Sequence, residues 1–420
     1  MSKVVKHVVT AGLAVTLIAG CASSTKKPST VSGSTATSSA ASGSASRTYT
    51  VGVITDLSGV AASEAGSTPS GIKAGVGRAA EEGYKIKYII ADTDSSPSGA
   101  LSAAKQLVEQ DHVFAVVGIS SLLFAAAPYL HSMGVPVIGT SYDGTEWLSD
   151  DNMFSIFGYS DYTKVTTTIG ELIKKIGGTN LAAIGYSISP SSAEAAKASA
   201  DSAIAAGLQA GYVNAAVPFG STNVGPLVLA MKSAKIDSFY PVVAPNTGLA
   251  VLVGLRQEGV SLKVPLFAEE EGDLLAGGLA TEQEAAGAYL PYIYEPVQMN
   301  TPATKTFQAA LKTYADVTTD PTTNEYIGYL SIDGLVQGLK AAGPNPTQAS
   351  LIQAMLGITN YNGAGLLGSQ SFSFAMSARG EAAGTDNCAY VVQWTGSQFK
   401  LVAGAEPVCG TIIPGKTVSS

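Results

Sequence analysis

Hydroxyl and carboxyl side chains follow two short apolar segments in the first third of the chain. Each segment predicts a buried strand. The polar residues are Ser120 and Ser121 after Val113–Val117, and Ser141, Tyr142 and Asp143 after Val135–Ile138. In open α/β sheets, ligands lie beyond the carboxyl ends of the strands, where helix N-termini direct free N–H groups towards anions. A single serine there is more often a helix cap or a turn residue, but two such groups on consecutive strands favour a small-molecule site.

The second half of the chain repeats this placement of polar residues after strands. The residues are Asn246 and Thr247 after Ser238–Val243, and Glu269, Glu270 and Glu271 after Val264–Ala268. A run of acidic residues is most often a solvated loop, so the glutamates alone do not establish a calcium site or an acid–base pair. Their position after a strand makes them candidates for a ligand site.

Strands and helices alternate through most of the chain, which predicts an α/β fold with parallel sheets. One array of strand–helix pairs covers residues 48–158 and includes a helix predicted from about Leu122 to Met133. A second array begins with a helix predicted over Thr163–Ile176. The division near residue 165 predicts two doubly wound lobes with a hinge and an interlobe cleft.

The composition argues against several functions. The 420-residue chain has a formal net charge of -8 and no basic patch, which disfavours nucleic acid as a partner. Outside the N-terminal segment the histidines are His112 and His131, and no spacing of Cys, His or Glu suits a metal. The sequence has no GxSxG elbow, Walker loop or GxGxxG turn. We therefore expect neither enzymatic activity nor a cofactor, since an α/β hydrolase would need a nucleophile–base pair.

The N-terminus has the pattern of an export signal. Lys3 and Lys6 precede the apolar stretch Val8–Gly20, and Ile18-Ala19-Gly20-Cys21 resembles the bacterial lipobox, where cleavage precedes a cysteine that receives a diacylglyceryl group. We predict a signal peptide over 1–20, lipidation of Cys21 and a Ser/Thr-rich tether over 21–47 that reaches roughly 28 Å. The lipid would attach the protein to the extracytoplasmic face of the cell membrane.

The two remaining cysteines, Cys388 and Cys409, are expected to form a disulfide because export favours oxidation. They flank a hairpin predicted from Ala389–Trp394 and Phe399–Val402. The bridge would join this hairpin to the tail that follows and contribute about 3 kcal/mol in the chain-entropy treatment. We expect its role to be structural.

Together these features resemble the type I periplasmic binding proteins, in particular the leucine/isoleucine/valine-binding branch of ABC-transporter receptors. The resemblance covers about residues 48–405 and rests on VGVITDLSGVAASEAGSTPSGIKAGV, VVGISS with VPVIGTSYD, IDSFYPVVAPNTGLAVLVGLRQEGV and PLFAEEEG. It implies two lobes joined by three crossovers. The division would be 48–165 with 295–385 for the N-lobe, and 166–294 with 386–415 for the C-lobe.

The resemblance also implies how a ligand would be held. The carboxylate positions of the family fall on Ser120 or Ser121 and on Ser141 with Asp143. The acid that holds an ammonium group falls on Glu270, with Glu271 one register away. Two positions that are commonly aromatic in the family carry Glu64 and Ala244, so ring surface would come from Tyr142, Trp147 or Tyr186 unless these are core residues.

These departures argue against a branched-chain amino acid and leave a small polar or cationic ligand. The sequence therefore predicts a monomeric, lipid-anchored receptor that delivers an amino acid or a related small polar molecule to an ABC permease. A ligand-binding sensor without transport is the alternative. Neighbouring genes for a permease and an ATPase would distinguish the two functions.

Overall fold

The first lobe is built on a five-stranded parallel sheet. The computed structural model describes residues 47–141, 143–268, 271–276, 283–379, 388–402, 404 and 406–418. The strands are β1 (Thr48–Thr55), β2 (Lys85–Asp92), β3 (Ala115–Ile119), β4 (Val137–Gly139) and β5 (Met153–Ser155), in the order β2-β1-β3-β4-β5. Helices cover both faces, as parallel sheets require. They are α1 (Ala62–Ala65), α2 (Thr68–Glu81), α3 (Pro97–Lys105, continued by a π-helical turn over Gln106–Gln110), α4 (Ala127–Ser132) and α5 (Glu146–Ser149).

The single helix predicted from Leu122 to Met133 is wrong. The structure has a 3-10 turn over Leu123–Ala125, and α4 begins only at Ala127. Pro128 explains the break, because proline lacks an N–H group and its ring conflicts with the carbonyl four residues earlier. Pro128 is instead at the start of α4, where the missing donor costs nothing.

The second lobe contains a four-stranded parallel sheet. Its strands are β7 (Asn180–Tyr186), β8 (Gln209–Val217), β9 (Ser238–Val242) and β10 (Val264–Pro265), in the order β10-β9-β7-β8. The helices of this part are α6 (Thr168–Ile176), α7 (Pro190–Ala205), α8 (Gly225–Ser233), α9 (Pro245–Gln257) and α10 (Glu271–Ala276). The two parallel sheets confirm the predicted α/β class with two doubly wound lobes.

The prediction that a helix begins at Thr163 is also wrong. Residues Lys164–Thr166 form a short strand, β6, and α6 starts at Thr168. β6 pairs antiparallel with Ile412–Thr417 near the end of the chain, which we call β15. The partner strand lies near the end of the chain, so the local sequence pattern does not reveal it.

The rest of the chain adds helices to the first lobe and a small antiparallel sheet. In chain order the elements are β11 (Tyr289–Tyr292), a 3-10 turn (Val297–Met299), α11 (Pro302–Ala315), α12 (Thr323–Ala342), α13 (Gln348–Leu356), a 3-10 turn (Gly363–Gly365), α14 (Met376–Arg379), β12 (Cys388–Trp394), β13 (Phe399–Leu401) and β14 (Val408–Cys409). β12 pairs with β11, β13 and β14. The predicted hairpin is thereby confirmed, and so is the Cys388–Cys409 disulfide, which joins paired residues of β12 and β14.

Close packing of α2 on α12 places α12 in the first lobe. A Cβ atom added to Gly71 would lie 2.3 Å from the Glu325 carbonyl oxygen, so only glycine allows this approach. α12 begins with a capping box, in which Thr322 and Glu325 each bond the backbone N–H of the other. Among the described helices, none is long and apolar enough to cross a membrane.

Candidate functional site

A cavity of about 240 Å³ lies at the carboxyl ends of the strands of both sheets. The first lobe contributes Ser121, Thr140, Ser141, Phe157, Thr323 and Ile327, and the second contributes Tyr186, Phe219 and residues 240–245. Tyr292, the last residue of β11, and Tyr294 complete this part of the lining. This interlobe cavity occupies the position that polar residues after consecutive strands predict for a ligand.

Aromatic rings form much of the cavity wall. Tyr292 and Tyr294 stack with ring centroids 5.0 Å apart, and Tyr294 stacks on Phe157 at 5.6 Å. Tyr186 and Phe219 meet edge to face at 5.0 Å. The rings provide flat apolar surface against which the apolar part of a ligand would pack.

Two hydroxyl groups in the cavity wall differ from their neighbours in their hydrogen bonding. The side-chain oxygens of Ser121 and Thr140 are buried and have no hydrogen-bond partner in the described part of the chain. Both residues lie in the loops that follow β3 and β4. A buried hydroxyl without a partner is destabilising. A ligand that formed hydrogen bonds with both hydroxyls would therefore bind more tightly.

Ser141 also lines the cavity, but its hydroxyl is already bonded. It donates to the Gly158 carbonyl at 3.1 Å and accepts from the Ser160 N–H at 2.9 Å. Gly158 and Ser160 follow β5, so Ser141 fixes the loop after β4 to the loop after β5. These two bonds hold this part of the cavity wall in place.

Ser120 and Asp143 are not among the side chains that line this cavity. Ser120 donates to Asp56 at 2.7 Å and accepts from the Leu122 N–H at 3.1 Å, which is a turn-stabilising role. The carboxylate of Asp143 is buried and accepts from the Trp147 indole N–H at 2.6 Å. Burial, and then the charge of Glu146, raises the pKa of Asp143.

The predicted residues of the second lobe form a connected group beneath the cavity wall. The Tyr186 and Thr247 hydroxyls lie 2.9 Å apart, and the Tyr186 hydroxyl accepts from the Ala244 N–H at 3.1 Å. Tyr186 lines the cavity, whereas Thr247 is fully buried behind it. Asn246 donates instead to the Val60 carbonyl of the first lobe at 3.2 Å, so it bridges the lobes.

Glu271 is buried against Thr323 and Tyr292, two residues that line the cavity. It accepts from the Thr323 hydroxyl at 2.8 Å, which links α10 to α12. Burial raises the pKa of Glu271, against the opposing effect of the Tyr292 and Thr323 hydroxyls. The other predicted groups, which are Cys21, the Glu64 side chain, Tyr142, Glu269 and Glu270, lie outside the described residues.

The family assignment follows from a comparison with known protein families. The profile described as periplasmic binding protein matches residues 48–398. The chain belongs to this family. Proteins of this kind bind small-molecule ligands and deliver them to ABC permeases, and the family implies an extracytoplasmic location. The comparison with curated proteins gives no match.

Solved structures of other periplasmic binding proteins share the fold. The leucine-binding protein LivK from Thermotoga maritima is 17% identical and has a TM-score of 0.69, covering 85% of this chain and 99% of that one. LivJ from Streptococcus pneumoniae, solved with isoleucine, is 19% identical with a TM-score of 0.67, covering 87% and 99%. A solute-binding protein from R. palustris, solved with 4-hydroxybenzoate, is 18% identical with a TM-score of 0.68, covering 89% and 97%. These likenesses confirm the two-lobed architecture.

Several residues of this binding protein's cavity were missed by sequence reasoning. Thr140 directly precedes a predicted site residue and could have been found by treating each strand-end loop as a unit. Phe157 follows β5, Tyr292 is the last residue of β11, and Tyr294 lies two residues later. Their aromatic character is visible in the sequence, but their position beside the cavity depends on how the chain passes between the lobes.

Proposed function

We propose that this periplasmic binding protein is the lipid-anchored receptor of an ABC importer and binds an amino acid or a related small carboxylate in the interlobe cavity. The observation that carries the proposal is the pair of unpartnered hydroxyls, Ser121 and Thr140, at the strand ends of the first lobe. Two neutral donors at this position suit the oxygens of a carboxylate.

An aromatic carboxylic acid is a second candidate ligand, favoured by the ring wall. Phe157, Tyr292 and Tyr294 form one stacked series in the cavity. A planar ring would pack against them with offset or edge contacts. Isoleucine and 4-hydroxybenzoate, the ligands of two proteins with the same fold, each combine a carboxylate with an apolar portion.

Calorimetry with both ligand classes tests the proposal. Wild type, Ser121→Ala and Thr140→Val would be titrated with isoleucine and 4-hydroxybenzoate, after native mass spectrometry of co-purified ligand has added any further candidate. Each substitution should weaken binding by about 0.5–1.5 kcal/mol, or up to about 3 kcal/mol if the hydroxyl bonds a carboxylate. Ser132→Ala, on the exposed face of α4, is the matched control and should bind as wild type.

Equal affinity in all four proteins would contradict this placement of the ligand. Failure of every carboxylate to bind, with a ligand of another class recovered by mass spectrometry, would contradict the ligand class while leaving the receptor function intact.

The membrane attachment and the lobe boundaries form part of the same proposal. Residues 1–20 are removed, Cys21 is lipidated, and 21–47 tether the folded part to the membrane. The N-lobe comprises 48–165 with 295–385, and the C-lobe comprises 166–294 with 386–415. The bond from the Thr411 N–H to the Thr167 hydroxyl, just before α6, supports the assignment of the C-terminal tail to the C-lobe.

Ligand binding would favour a closed arrangement of the lobes that a permease recognises. The bond from Asn246 to Val60 and the contact of Gly220 with Val60 both join the lobes beside the cavity. A ligand that contacts both lobes shifts the population towards such a closed state. A sensor would use the same motion to signal, and the genomic neighbourhood distinguishes it from a transporter. We infer a monomer without catalytic activity.

A further inference from the structure

A second cavity lies within the first lobe and shares no lining residue with the interlobe cavity. Its volume is about 370 Å³, and α2, α11 and α12 enclose most of it. We call it the helical cavity. The lining side chains that matter for its chemistry are Arg78, Ala79, Ala303, Tyr329, Asp333 and Val336.

The Asp333 carboxylate has one oxygen without a donor. Oδ1 accepts from the Gln337 side-chain amide at 3.1 Å, whereas Oδ2 is buried and has no hydrogen-bond partner among the described residues. The Tyr361 hydroxyl is close enough to this carboxylate to lower its pKa, and it donates to the Leu330 carbonyl at 3.0 Å. Buried carboxylate oxygens in native proteins almost always have a partner, so Oδ2 is available to accept from water or from a ligand in the helical cavity.

The other charged groups of the helical cavity already have partners of opposite charge. Glu82 forms an ion pair with Lys340 at 2.6 Å, and Arg78 forms one with Glu81. Asp333 forms no ion pair within the described part of the chain. Burial raises the pKa of Asp333, against the opposing effects of the Gln337 and Tyr361 side chains and the Lys340 charge, and a cation bound in the helical cavity would favour the ionised carboxylate.

A second atom without a hydrogen-bond partner indicates that the ligand could also carry an acceptor. The Arg78 Nε is buried and donates to no atom of the described residues. A ligand oxygen near the ammonium group would accept from it. The walls formed by Ala79, Ala303 and Val336 are apolar and suit a short aliphatic portion.

We propose that the helical cavity binds a small primary ammonium compound. The ammonium group donates to Asp333 Oδ2, and the aliphatic portion packs against the alanine and valine side chains. This site is independent of the interlobe cavity and of its ligand. Occupation would strengthen the packing of α2, α11 and α12 within the first lobe.

Calorimetry on the full-length protein tests the proposal with propylammonium chloride as the probe. 1-Propanol, which has nearly the same shape but no charge, is the matched probe. Propylammonium should bind wild type at least about tenfold more tightly than 1-propanol, and Asp333→Asn should weaken its binding by at least about tenfold. Asp161→Asn, which alters an acid of the interlobe cavity, should leave it unchanged.

Equal binding of the two probes, no binding of propylammonium to wild type, or unchanged binding in Asp333→Asn would each overturn the proposal. Loss of binding in Asp161→Asn alone would place the cation in the interlobe cavity and overturn it as well. If circular dichroism shows that Asp333→Asn is unfolded, Ala303→Leu replaces it, because the larger side chain narrows the helical cavity without removing a charge. Undiminished binding in that variant would then contradict the site.

Discussion

Glu325 should make the stability of this protein fall as the pH rises through neutrality. Glu325 is the third residue of α12, and its carboxylate accepts from the Thr322 N–H at 2.9 Å. Burial raises its pKa from 4.5 to about 7, and the charge of nearby Glu271 adds to this, against the opposing effect of the Thr322 bond. Between pH 4.5 and about 7, the folded state therefore keeps a proton on Glu325 that the unfolded state has already released.

The sign of the effect follows from proton linkage. A carboxyl group whose pKa is raised on folding stabilises the folded state fully when the pH is below the pKa of the unfolded state. This stabilisation is lost as the pH rises through the pKa of the folded state. With values of 4.5 and about 7, the loss between pH 5 and pH 8.5 is about 2.5 kcal/mol in the free energy of unfolding. Glu325 is only 5% exposed, so solvent screening reduces this figure little.

Glu325→Gln is the informative substitution. Glutamine keeps an oxygen that accepts from Thr322 and so preserves the capping box, but it carries no charge at any pH. Urea unfolding of the ligand-free proteins at pH 5, 7 and 8.5 would measure both stabilities. The difference between wild type and Glu325→Gln should change by about 2.5 kcal/mol over this range, in favour of the variant at high pH. A constant difference would refute the reasoning.

Three further predictions concern the bridge, the anchor and closure. Cys388 and Cys409 should be oxidised in exported protein, and replacing both with serine should lower the free energy of unfolding by about 3 kcal/mol in urea titrations without loss of ligand binding; two free thiols in a peptide map would contradict this. Cys21→Ala should release the protein from the membrane fraction or block its processing, and recovery of a normally cleaved variant in that fraction would argue otherwise. Asn246→Ala should weaken ligand binding about 2- to 12-fold in calorimetry, because it removes one interlobe hydrogen bond. An unchanged dissociation constant would mean that the bond to Val60 does not contribute to closure.

Much of the fold could be predicted because each buried strand is a short apolar segment that the local sequence shows. Parallel strands covered on both faces appear as short continuous apolar runs, so β3, β7 and β9 were visible in the sequence. The pairing of β6 with β15 was not visible, because its partners are separated by most of the second lobe and the later helices. The break before α4 could have been found from Pro128 alone.

The position of the interlobe cavity was easier to predict than the side chains that line it. The loops after the predicted strands border the interlobe cavity, and Ser121 and Ser141 line it. Neighbouring residues in a loop point in different directions, however, so Ser120 bonds Asp56 while Ser121 faces the cavity. Sequence alone does not determine this choice.

The long-range contacts of both lobes affect the order in which the chain acquires its structure. The first lobe needs α12 to cover α2, and the Ser67 and Thr322 hydroxyls that meet at this junction are 255 residues apart. The start of the second lobe bonds the C-terminal tail, where the Thr411 N–H donates to Thr167 across 244 residues. Contacts of such sequence separation form late and slowly. A chain that emerges from its N-terminus would therefore leave apolar surface of both lobes uncovered until nearly its last residue has appeared. A chaperone that binds the incomplete chain would protect this surface during synthesis. The same delay would keep the chain unfolded enough to pass through a translocation channel.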